Sequence, residues 1–289
     1  MKLVTFTREN SREELGILRG ERVLPLEELG FAFADMSDLI RRATPEELNA
    51  MRRAPGDGMP LECVRLLAPI PRPRQDVLCL GLNYSEHAAE AAGFSKEAFS
   101  LKTSAPVFFS KRVSFAQGSG APIPAHADLT EKLDFENELA VVIGRDAKNV
   151  PEAEAADYVF GYTILNDVSA RDLQTRHTQW YFGKSLDGFT PMGPCLVTAD
   201  EIAFPPKLRI STTVNGELRQ DSRTDRLIHG IPEIISTLSR GMTLLAGTVI
   251  ATGTPKGVGM GEETPRFLKA GDVVACSIEG IGTLVNPVV

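Results

Sequence analysis

The chain contains the stretch Leu133-Asp134-Phe135-Glu136-Asn137-Glu138-Leu139-Ala140-Val141-Val142-Ile143-Gly144, whose polar first half leads into an apolar second half. A continuous apolar run of this length is typical of a strand that is buried on both faces. Because side chains at positions i and i+2 of a strand point the same way, Glu136 and Glu138 share one face. The stretch therefore predicts a buried strand that carries two carboxylates near its beginning, with Asp134 behind them.

A second buried-strand pattern follows the first one along the chain. The run Tyr162-Thr163-Ile164-Leu165 is apolar enough for a sheet interior, and it ends at Asn166-Asp167. Carboxylates from two adjacent strands, here Glu136, Glu138 and Asp167, would form a half-shell of oxygen ligands that suits Mg²⁺, Mn²⁺ or Ca²⁺. From the residues alone an alternative stays open, because acidic pairs at i and i+2 also occur on solvated strand edges.

The remaining patterns predict a fold with many strands and few helices. Asn215-Gly216 follows an alternating run and favours a hairpin turn, because both residues accept positive φ. A polar helix is predicted over residues 36–53, with Thr44-Pro45-Glu46-Glu47 as a start signal inside it, and a helix with an apolar face begins near Ile231. The predicted fold class is therefore α+β and β-rich. Strands are predicted at 3–7, 15–18, 77–81, 106–110, 138–144, 159–165, 208–214, 249–252 and 273–278.

A proline-rich segment separates two parts of the chain. The segment Ala68-Pro69-Ile70-Pro71-Arg72-Pro73-Arg74 holds three prolines, and proline resists both helix interiors and central strands. We predict a small N-terminal domain over residues 1–70. The larger domain, residues 71–289, contains the carboxylate cluster.

Composition excludes several classes of protein. Of the 289 residues, 43% are hydrophobic and 24% charged, so the chain is neither disordered nor fibrous. The net charge of −7 excludes nucleic acid as a partner, because such a surface repels phosphates. The four cysteines form no C-x-x-C pair, and no apolar run reaches the roughly 18 residues of a membrane span. The apolar run at the start of the chain is interrupted by charged residues too early for a signal peptide. We expect a cytoplasmic protein that binds no membrane.

Six motifs follow one another along the chain in a specific order. They are Gly81-Leu82-Asn83-Tyr84 with His87 and Glu90, Pro106-Val107-Phe108-Phe109-Ser110-Lys111, Asp134-Phe135-Glu136-Asn137-Glu138-Leu139-Ala140, Asn166-Asp167-Val168-Ser169-Ala170-Arg171-Asp172-Leu173-Gln174, Gly183-Lys184-Ser185-Leu186-Asp187, and Thr252-Gly253-Thr254-Pro255-Lys256-Gly257-Val258-Gly259. Through them, residues 68–289 resemble the fumarylacetoacetate hydrolase family. The resemblance implies a mixed β-sandwich or roll of the fumarylacetoacetase type, a homodimer, and a divalent cation, usually Mg²⁺, whose ligands are Glu136, Glu138 and Asp167.

A short helix is predicted after the first of these motifs. Asn83 is a good N-cap residue, Glu86 follows at the spacing of a capping box, and Gly93 can end the helix. His87 and Glu90 then lie at i and i+3 on one face. A carboxylate beside an imidazole raises its basicity and fixes its tautomer, as a general base requires. The alternative is a surface helix on which the two residues meet by chance.

The resemblance gives this helix a role. In the family's shorter branch, which includes acylpyruvate hydrolases, oxaloacetate decarboxylases and oxaloacetate tautomerases, a His-x-x-Glu pair on a lid helix is catalytic. His87 and Glu90 match that pair. We expect the following segment, residues 94–101, to become ordered with the helix when substrate binds. Asn83 and Tyr84, in the same motif, are expected to bind substrate.

Three further residues are expected on the side of the pocket that binds negative charge. Arg171 and Gln174 follow Asp167 by four and seven residues and fall on one side of a helix. An arginine fork suits a substrate carboxylate, although an ion pair of Arg171 with Asp172 or Glu138 is the alternative. By the resemblance, Lys184 is catalytic and stabilises a developing oxyanion.

Thr254 and the glycines around it complete the expected site. Its hydroxyl and the nearby N–H groups are expected to hold the other end of the substrate. The glycine run lacks the spacing of a nucleotide-binding loop, which excludes nucleotide binding.

The function implied by the resemblance is Mg²⁺-dependent hydrolysis of a C–C bond in a 1,3-diketo acid, such as an acylpyruvate or a fumarylacetoacetate-like compound. The cation would stabilise the charge of an enolate. The same enolate serves the alternatives, which are oxaloacetate tautomerisation or decarboxylation and isomerisation of a 2-hydroxyhepta-2,4-diene-1,7-dioate-type acid. A non-catalytic metal-binding or metabolite-binding member is a further alternative, which predicts that a catalytic position is missing; none is. The expected partner is a small anionic 2-oxo or diketo acid.

Overall fold

A computed structural model describes residues 1–8, 12–99 and 105–289 of the chain. The fold is α+β and sheet-rich, as predicted. The strands are β1 (Lys2–Thr7), β2 (Glu13–Arg19), β3 (Arg22–Pro25), β4 (Met59–Pro60), β5 (Arg65–Leu66), β6 (Val77–Gly81), β7 (Val107–Lys111), β8 (Leu133–Asp134), β9 (Asn137–Ile143), β10 (Val159–Asn166), β11 (Ser169–Ala170), β12 (Met192–Thr198), β13 (Arg209–Val214), β14 (Glu217–Arg223), β15 (Val249–Ala251), β16 (Val273–Ile278) and β17 (Gly282–Pro287). The helices are α1 (Met36–Arg42), α2 (Pro45–Arg53), α3 (Ser85–Phe94), α4 (Lys96–Phe99), α5 (Arg171–Arg176), α6 (Tyr181–Lys184) and α7 (Ile231–Ser239).

Most strands belong to one large sheet in the order β4-β3-β2-β1-β12-β10-β9-β15-β6-β7, in which β5 also pairs with β1. A second sheet has the order β14-β13-β16-β17, and β8 pairs with β11 in a short ribbon. Strand β9 lies inside the large sheet between β10 and β15, and all seven of its residues are buried. The apolar run that predicted a strand buried on both faces is therefore confirmed.

The large sheet continues across the predicted domain boundary. Strand β1 pairs with β12 through Lys2 opposite Val197 and Leu3 opposite Leu196. Phe6 is fully buried in the same apolar core as Phe135 of the carboxylate stretch. The N-terminal strands thus extend the sheet that carries the site, and the division at residue 70 stays a prediction.

Local signals in the sequence explain where two predicted elements end. The helix predicted over residues 36–53 is two helices, because Thr44 caps the second one. Its hydroxyl accepts a hydrogen bond from the Glu47 N–H at 3.1 Å, and the Glu47 carboxylate accepts from the Thr44 N–H at 2.9 Å. At the predicted hairpin, Asn215 and Gly216 have φ of 53° and 82°, which confirms the turn.

Among the described residues, no helix has the length and apolar character that crossing a bilayer requires.

Candidate functional site

The three expected cation ligands come together where β9 and β10 meet. Because Asn166 at the end of β10 pairs with Asn137 at the beginning of β9, the next residue, Asp167, lies beside Glu136. The Asp167 N–H donates to the Glu136 carbonyl at 2.8 Å. One carboxylate oxygen from each of Glu136, Glu138 and Asp167 lies within 4.8 Å of the others, and all three side chains are buried. The arrangement predicted from the strand pattern is therefore present.

Glu138 is the member of this cluster that protein contacts satisfy least. Its Oε2 accepts a hydrogen bond from the Gly253 N–H at 2.7 Å, whereas Oε1 is buried without a hydrogen-bond partner in the described structure. Burial, together with repulsion from Asp167 and Glu136, raises the pKa of Glu138 well above its ordinary value. A buried carboxylate oxygen with a free lone pair next to two further carboxylates fits a hard divalent cation.

Two buried lysines contact the same carboxylates. The Lys184 Nζ lies 2.9 Å from Glu136 Oε2 and 2.7 Å from Asp167 Oδ2. Burial alone would lower the pKa of Lys184, but attraction to Asp167 and Glu136 outweighs it and raises the pKa. The fully buried Lys111 donates to Asp167 Oδ1 and to the Val168 carbonyl, the latter at 3.0 Å. Burial lowers the pKa of Lys111, although Asp167 opposes this shift.

Sequence reasoning missed Lys111 as a member of the site. The one available signal was its place at the end of the 106–111 motif, where a lysine closes an otherwise apolar run. Its partner Asp167 is 56 residues away in the sequence, so the pattern around Lys111 could not indicate that the side chain is buried.

Arg171 also points into the cluster. Its Nη1 lies 2.6 Å from Glu136 Oε1 and donates to Gln174 Oε1 at 3.0 Å, while Nε donates to Asp134 Oδ2 at 2.9 Å. The ion pair with Asp172 or Glu138, considered as an alternative, is wrong. Instead, Asp172 accepts from Thr130 and from the Leu173 N–H. The Nη2 of Arg171 is buried and has no hydrogen-bond partner among the residues described.

Asp134 holds Arg171 and a distant loop in place together. Besides Arg171, it accepts hydrogen bonds from the N–H groups of Gly259 at 2.6 Å, Met260 at 3.0 Å and Phe135 at 2.9 Å. Its side chain is completely buried. A carboxylate with this many donors fixes the groups around it.

The charges of the cluster leave room for a further cation. Within the described chain, four buried carboxylates face three buried basic side chains, which leaves one negative charge in excess when Glu138 is ionised. A divalent ion would make the pocket positive by one charge. Such a pocket would attract small anions, although the protein as a whole is acidic. The carboxylates are Asp134, Glu136, Glu138 and Asp167, and the basic groups are Lys111, Arg171 and Lys184.

His87 and Glu90 lie on helix α3 at the edge of this cluster. The His87 side chain is buried, and its Nδ1 lies 3.6 Å from Glu90 Oε2, with no hydrogen-bond partner in the described structure. The Glu90 carboxylate is held in place by the Gly257 N–H, at 3.0 and 3.1 Å from its two oxygens. His87 therefore lines the pocket, and the Glu90 carboxylate is fixed beside its ring.

The capping expected for this helix is wrong. Asn83 does not cap it: its amide donates to the carbonyls of His229 at 3.0 Å and Thr252 at 2.8 Å, and its oxygen accepts from the His229 N–H at 2.8 Å. Asn83 thus joins two loops to the helix start. Tyr84 occupies the N-cap position without a capping bond, and its buried hydroxyl has no hydrogen-bond partner among described residues.

The other end of the helix and the predicted capping box also differ from expectation. Glu86 forms no capping box; it lies 3.3 Å from the Lys256 ammonium instead. The helix continues through Gly93 to Phe94, and Ser95 caps it. In the segment 94–101, expected to order with substrate, residues 100 and 101 lie outside the described residues.

Thr254 uses its hydroxyl for protein contacts. The hydroxyl donates to the Asn137 carbonyl at 2.9 Å and accepts from Gln220 Nε2 at 2.8 Å. The hydroxyl hydrogen of Thr254 is therefore already donated to a protein group, although Thr254 still lines the pocket. Gln220 was not expected from the sequence, because it lies on β14 of the second sheet and reaches the site only through the fold.

The pocket is lined by six polar residues and seven apolar residues, which we call its polar and its apolar wall, and the space between them is about 10 Å³, roughly what one water molecule needs. The polar wall consists of His87, Glu136, Arg171, Gln174, Lys184 and Thr254. The apolar wall consists of Leu80, Gly81, Leu82, Phe99, Phe109, Trp180 and Met260.

Comparison with known proteins identifies relatives of this chain. The family model described as "Fumarylacetoacetate (FAA) hydrolase C-terminal" matches residues 76–289. A protein of Bacillus subtilis (strain 168), oxaloacetate tautomerase YisK, is 48% identical over 225 residues, which cover 78% of this chain and 73% of the relative.

Solved structures agree with these matches over the whole length of the chain. A fumarylacetoacetate hydrolase from psychrophilic Exiguobacterium antarcticum is 40% identical with a TM-score of 0.84, and the alignment covers 100% of this chain and 99% of that one. Maleylpyruvate hydrolase from Sphingobium sp. SYK-6, solved in complex with manganese(II) ion and pyruvate, is 30% identical with a TM-score of 0.80 and the same coverage. By sequence and by architecture, the chain belongs to the fumarylacetoacetate hydrolase family.

Proposed function

We propose that this protein is a divalent-cation-dependent enzyme that interconverts the keto and enol forms of a small dicarboxylic 2-oxo acid of the oxaloacetate type. The observation that carries the proposal is the buried His87, which lies beside Glu90 and lines the pocket together with Glu136 and the basic side chains of Arg171 and Lys184. The 48% identity to a protein named oxaloacetate tautomerase supports the choice of reaction.

The residues of the cluster fit a cation. Glu136, Glu138 and Asp167 would hold it, since their oxygens lie close together and Glu138 Oε1 has no other partner within the described structure. When bound, a divalent cation supplies a Lewis acid that stabilises negative charge on the 2-oxygen of the substrate. A related structure contains manganese(II), and Mg²⁺ is our proposal for this chain.

The basic side chains would bind the substrate's carboxylates. The unpartnered Nη2 of Arg171 offers a planar, permanently charged donor, and Gln174 lies beside it. Lys184 adds positive charge next to Glu136 and Asp167, where negative charge develops on the substrate. These groups orient a dicarboxylate within the pocket.

His87 would move the proton. Conversion of the keto form to the enol removes a proton from the carbon between the two carbonyl-bearing carbons and places one on the 2-oxygen. The imidazole would accept the proton from the carbon, the imidazolium that forms would donate it to the 2-oxygen, and Glu90 would stabilise this imidazolium. The Gly257 N–H keeps the Glu90 carboxylate close to the ring.

A second candidate function is hydrolysis of the C–C bond in an acylpyruvate. It is favoured by the same His87–Glu90 pair, which can take a proton from water, and by the similarity to maleylpyruvate hydrolase. Water would add to the distal carbonyl, the C–C bond would break, and a carboxylic acid and pyruvate would leave. A substrate panel separates the two candidates.

The experiment uses the full chain, stripped with EDTA and then reloaded with Mg²⁺ or Mn²⁺. We expect decay of the enol absorbance of oxaloacetate to accelerate only with the cation, and faster turnover of oxaloacetate than of acetylpyruvate. Full activity in EDTA would contradict the cation dependence, and preferred cleavage of acetylpyruvate would favour the second candidate. Replacement His87→Asn should lower keto–enol exchange about 10²-fold or more, with Glu86→Gln on the exposed face of the helix as the control.

A further inference from the structure

We propose that Trp180 determines which substrates fit, by closing the pocket to any 2-oxo acid with a substituent longer than that of a four-carbon dicarboxylate. The inference rests on the proposed function and names its substrate class. The indole forms an aromatic wall of the pocket with Phe99 and Phe109, and the proposal places a longer acyl chain against this wall. The three rings all line the pocket.

The wall is a packed unit. The Trp180 ring lies 5.4 Å from the ring centroid of Phe99, with 50° between the planes, and 5.4 Å from that of Phe109, with 68° between the planes. Such tilted and edge-on contacts are the preferred arrangements of aromatic pairs. Trp180 contacts both phenylalanine rings, so its position depends on both of them.

Gly81 makes room for the indole. A Cβ at Gly81 would lie 2.3 Å from Cζ3 and 2.8 Å from Cη2 of Trp180, distances at which atoms cannot coexist. The six-membered ring therefore packs directly on the backbone at the end of β6. Any side chain at residue 81 would occupy this space, so the observed position of the indole requires glycine there.

The wall also stands close to the charged end of the pocket. Trp180 is the N-cap of helix α6 and Lys184 is its last residue, so both side chains reach the pocket from one helical turn. The Lys184 Nζ lies only 5.1 Å from the centroid of the Phe109 ring. A substrate anchored by its carboxylates among the basic groups thus meets aromatic carbon immediately beyond them.

The first test measures binding of pyruvate and phenylpyruvate to the Mn²⁺-loaded protein by calorimetry. We expect wild-type protein to bind pyruvate and to bind phenylpyruvate at least tenfold more weakly. Replacement Trp180→Ala should strengthen phenylpyruvate binding at least tenfold and change pyruvate binding about twofold or less, since small differences in pocket volume discriminate by 10-fold or more. Phe182→Ala is the matched control, because Phe182 lies two residues away and is 46% exposed.

Trp180 offers a second readout, because it is the chain's single tryptophan. Its fluorescence should change when pyruvate is added to the wild-type Mn²⁺ protein and stay unchanged on addition of phenylpyruvate at the same concentration. Thermal melts check that each variant folds. Should Trp180→Ala not fold, Trp180→Leu, which keeps a smaller apolar side chain at this position, carries the same expectation.

The outcomes separate this inference from the proposed function. Equal binding of both acids by wild-type protein, or an unchanged preference in a folded Trp180 variant, would overturn the size limit even if oxaloacetate is turned over. Size-dependent binding that Trp180→Ala relaxes would support the limit. The same result without any keto–enol exchange would support the limit and contradict the proposed reaction.

Discussion

At the scale of single residues, the two oxygens of Glu138 have different surroundings, and this difference predicts the effect of a substitution. In Glu138→Gln the amide oxygen can keep the hydrogen bond from Gly253, but the negative charge is lost. We expect Mn²⁺ affinity to fall at least tenfold in calorimetric titration, because a charged ligand is missing.

The same variant should not be less stable than wild type in EDTA. The pKa of Glu138 is raised by burial and by Asp167 and Glu136, so without a cation its ionised form weakens the fold. This contribution favours folding at low pH and is lost as the pH rises through the raised pKa. The advantage of Glu138→Gln in melting temperature should therefore grow with pH. If Glu138→Gln were clearly less stable than wild type at high pH, the ionised carboxylate itself would be needed to hold Gly253 in place.

The site residues differed in how far the sequence could predict them. Glu136, Glu138 and Asp167 could be predicted from the sequence, because strand periodicity fixes which side chains share a face. The burial of Lys111 and the hydrogen bonds of the Thr254 hydroxyl could not be predicted, because their partners come from remote parts of the chain. Asparagine is a common N-cap residue, yet tertiary contacts with His229 decide where the amide of Asn83 points.

At the scale of elements, the close packing of helices α5 and α6 depends on Gly183. A Cβ there would lie 2.5 Å from the Gln174 nitrogen and 2.9 Å from the Ala170 oxygen. Replacement Gly183→Ala must push α6 away and displace Lys184. Since a shift of about 1 Å can cost on the order of 10² in rate, we expect oxaloacetate turnover to fall by about that factor.

A matched glycine provides the control for this prediction. Gly93 lies in helix α3, and a Cβ built there meets no atom within 4 Å. Gly93→Ala should leave turnover unchanged and raise stability by about 0.5–1 kcal/mol, because alanine favours helix. Equal turnover in the two variants would refute the role given to the α5–α6 contact.

Elements were predicted best where one local signal dominates. Strand β9 follows from its apolar run, and the start of α2 follows from the capping box at Thr44. The length of α3 was misjudged because glycine tolerates helical φ as well as positive φ, so Gly93 alone could not mark an end.

At the scale of the whole molecule, the N-terminal strands share a core with the site. Phe6 is fully buried with Leu80 and Phe135. We expect Phe6→Ala to cost about 3–5 kcal/mol and to lower the melting temperature of the entire chain in one transition by roughly 5–10 °C or more. Phe33→Ala, at a partly exposed position, is the control. Two separate transitions in calorimetry would instead support independent folding of residues 1–70.

The order of strands in the large sheet could not be predicted from the sequence patterns. The pairing of β1 with β12 joins residues almost two hundred positions apart. A local sequence pattern cannot indicate such a contact. Net charge was informative in a limited way, since it describes the surface as a whole, whereas the pocket depends on a few buried charges.

The position of Asp134 constrains how this protein can evolve. Its carboxylate holds Arg171 and the N–H groups of Gly259 and Met260 at once. A proline at 259 or 260 would remove a donor, and a shorter acid at 134 does not exist. Substitutions at Asp134 therefore need simultaneous compensation in two segments, the one that carries Arg171 and the one that carries Gly259 and Met260.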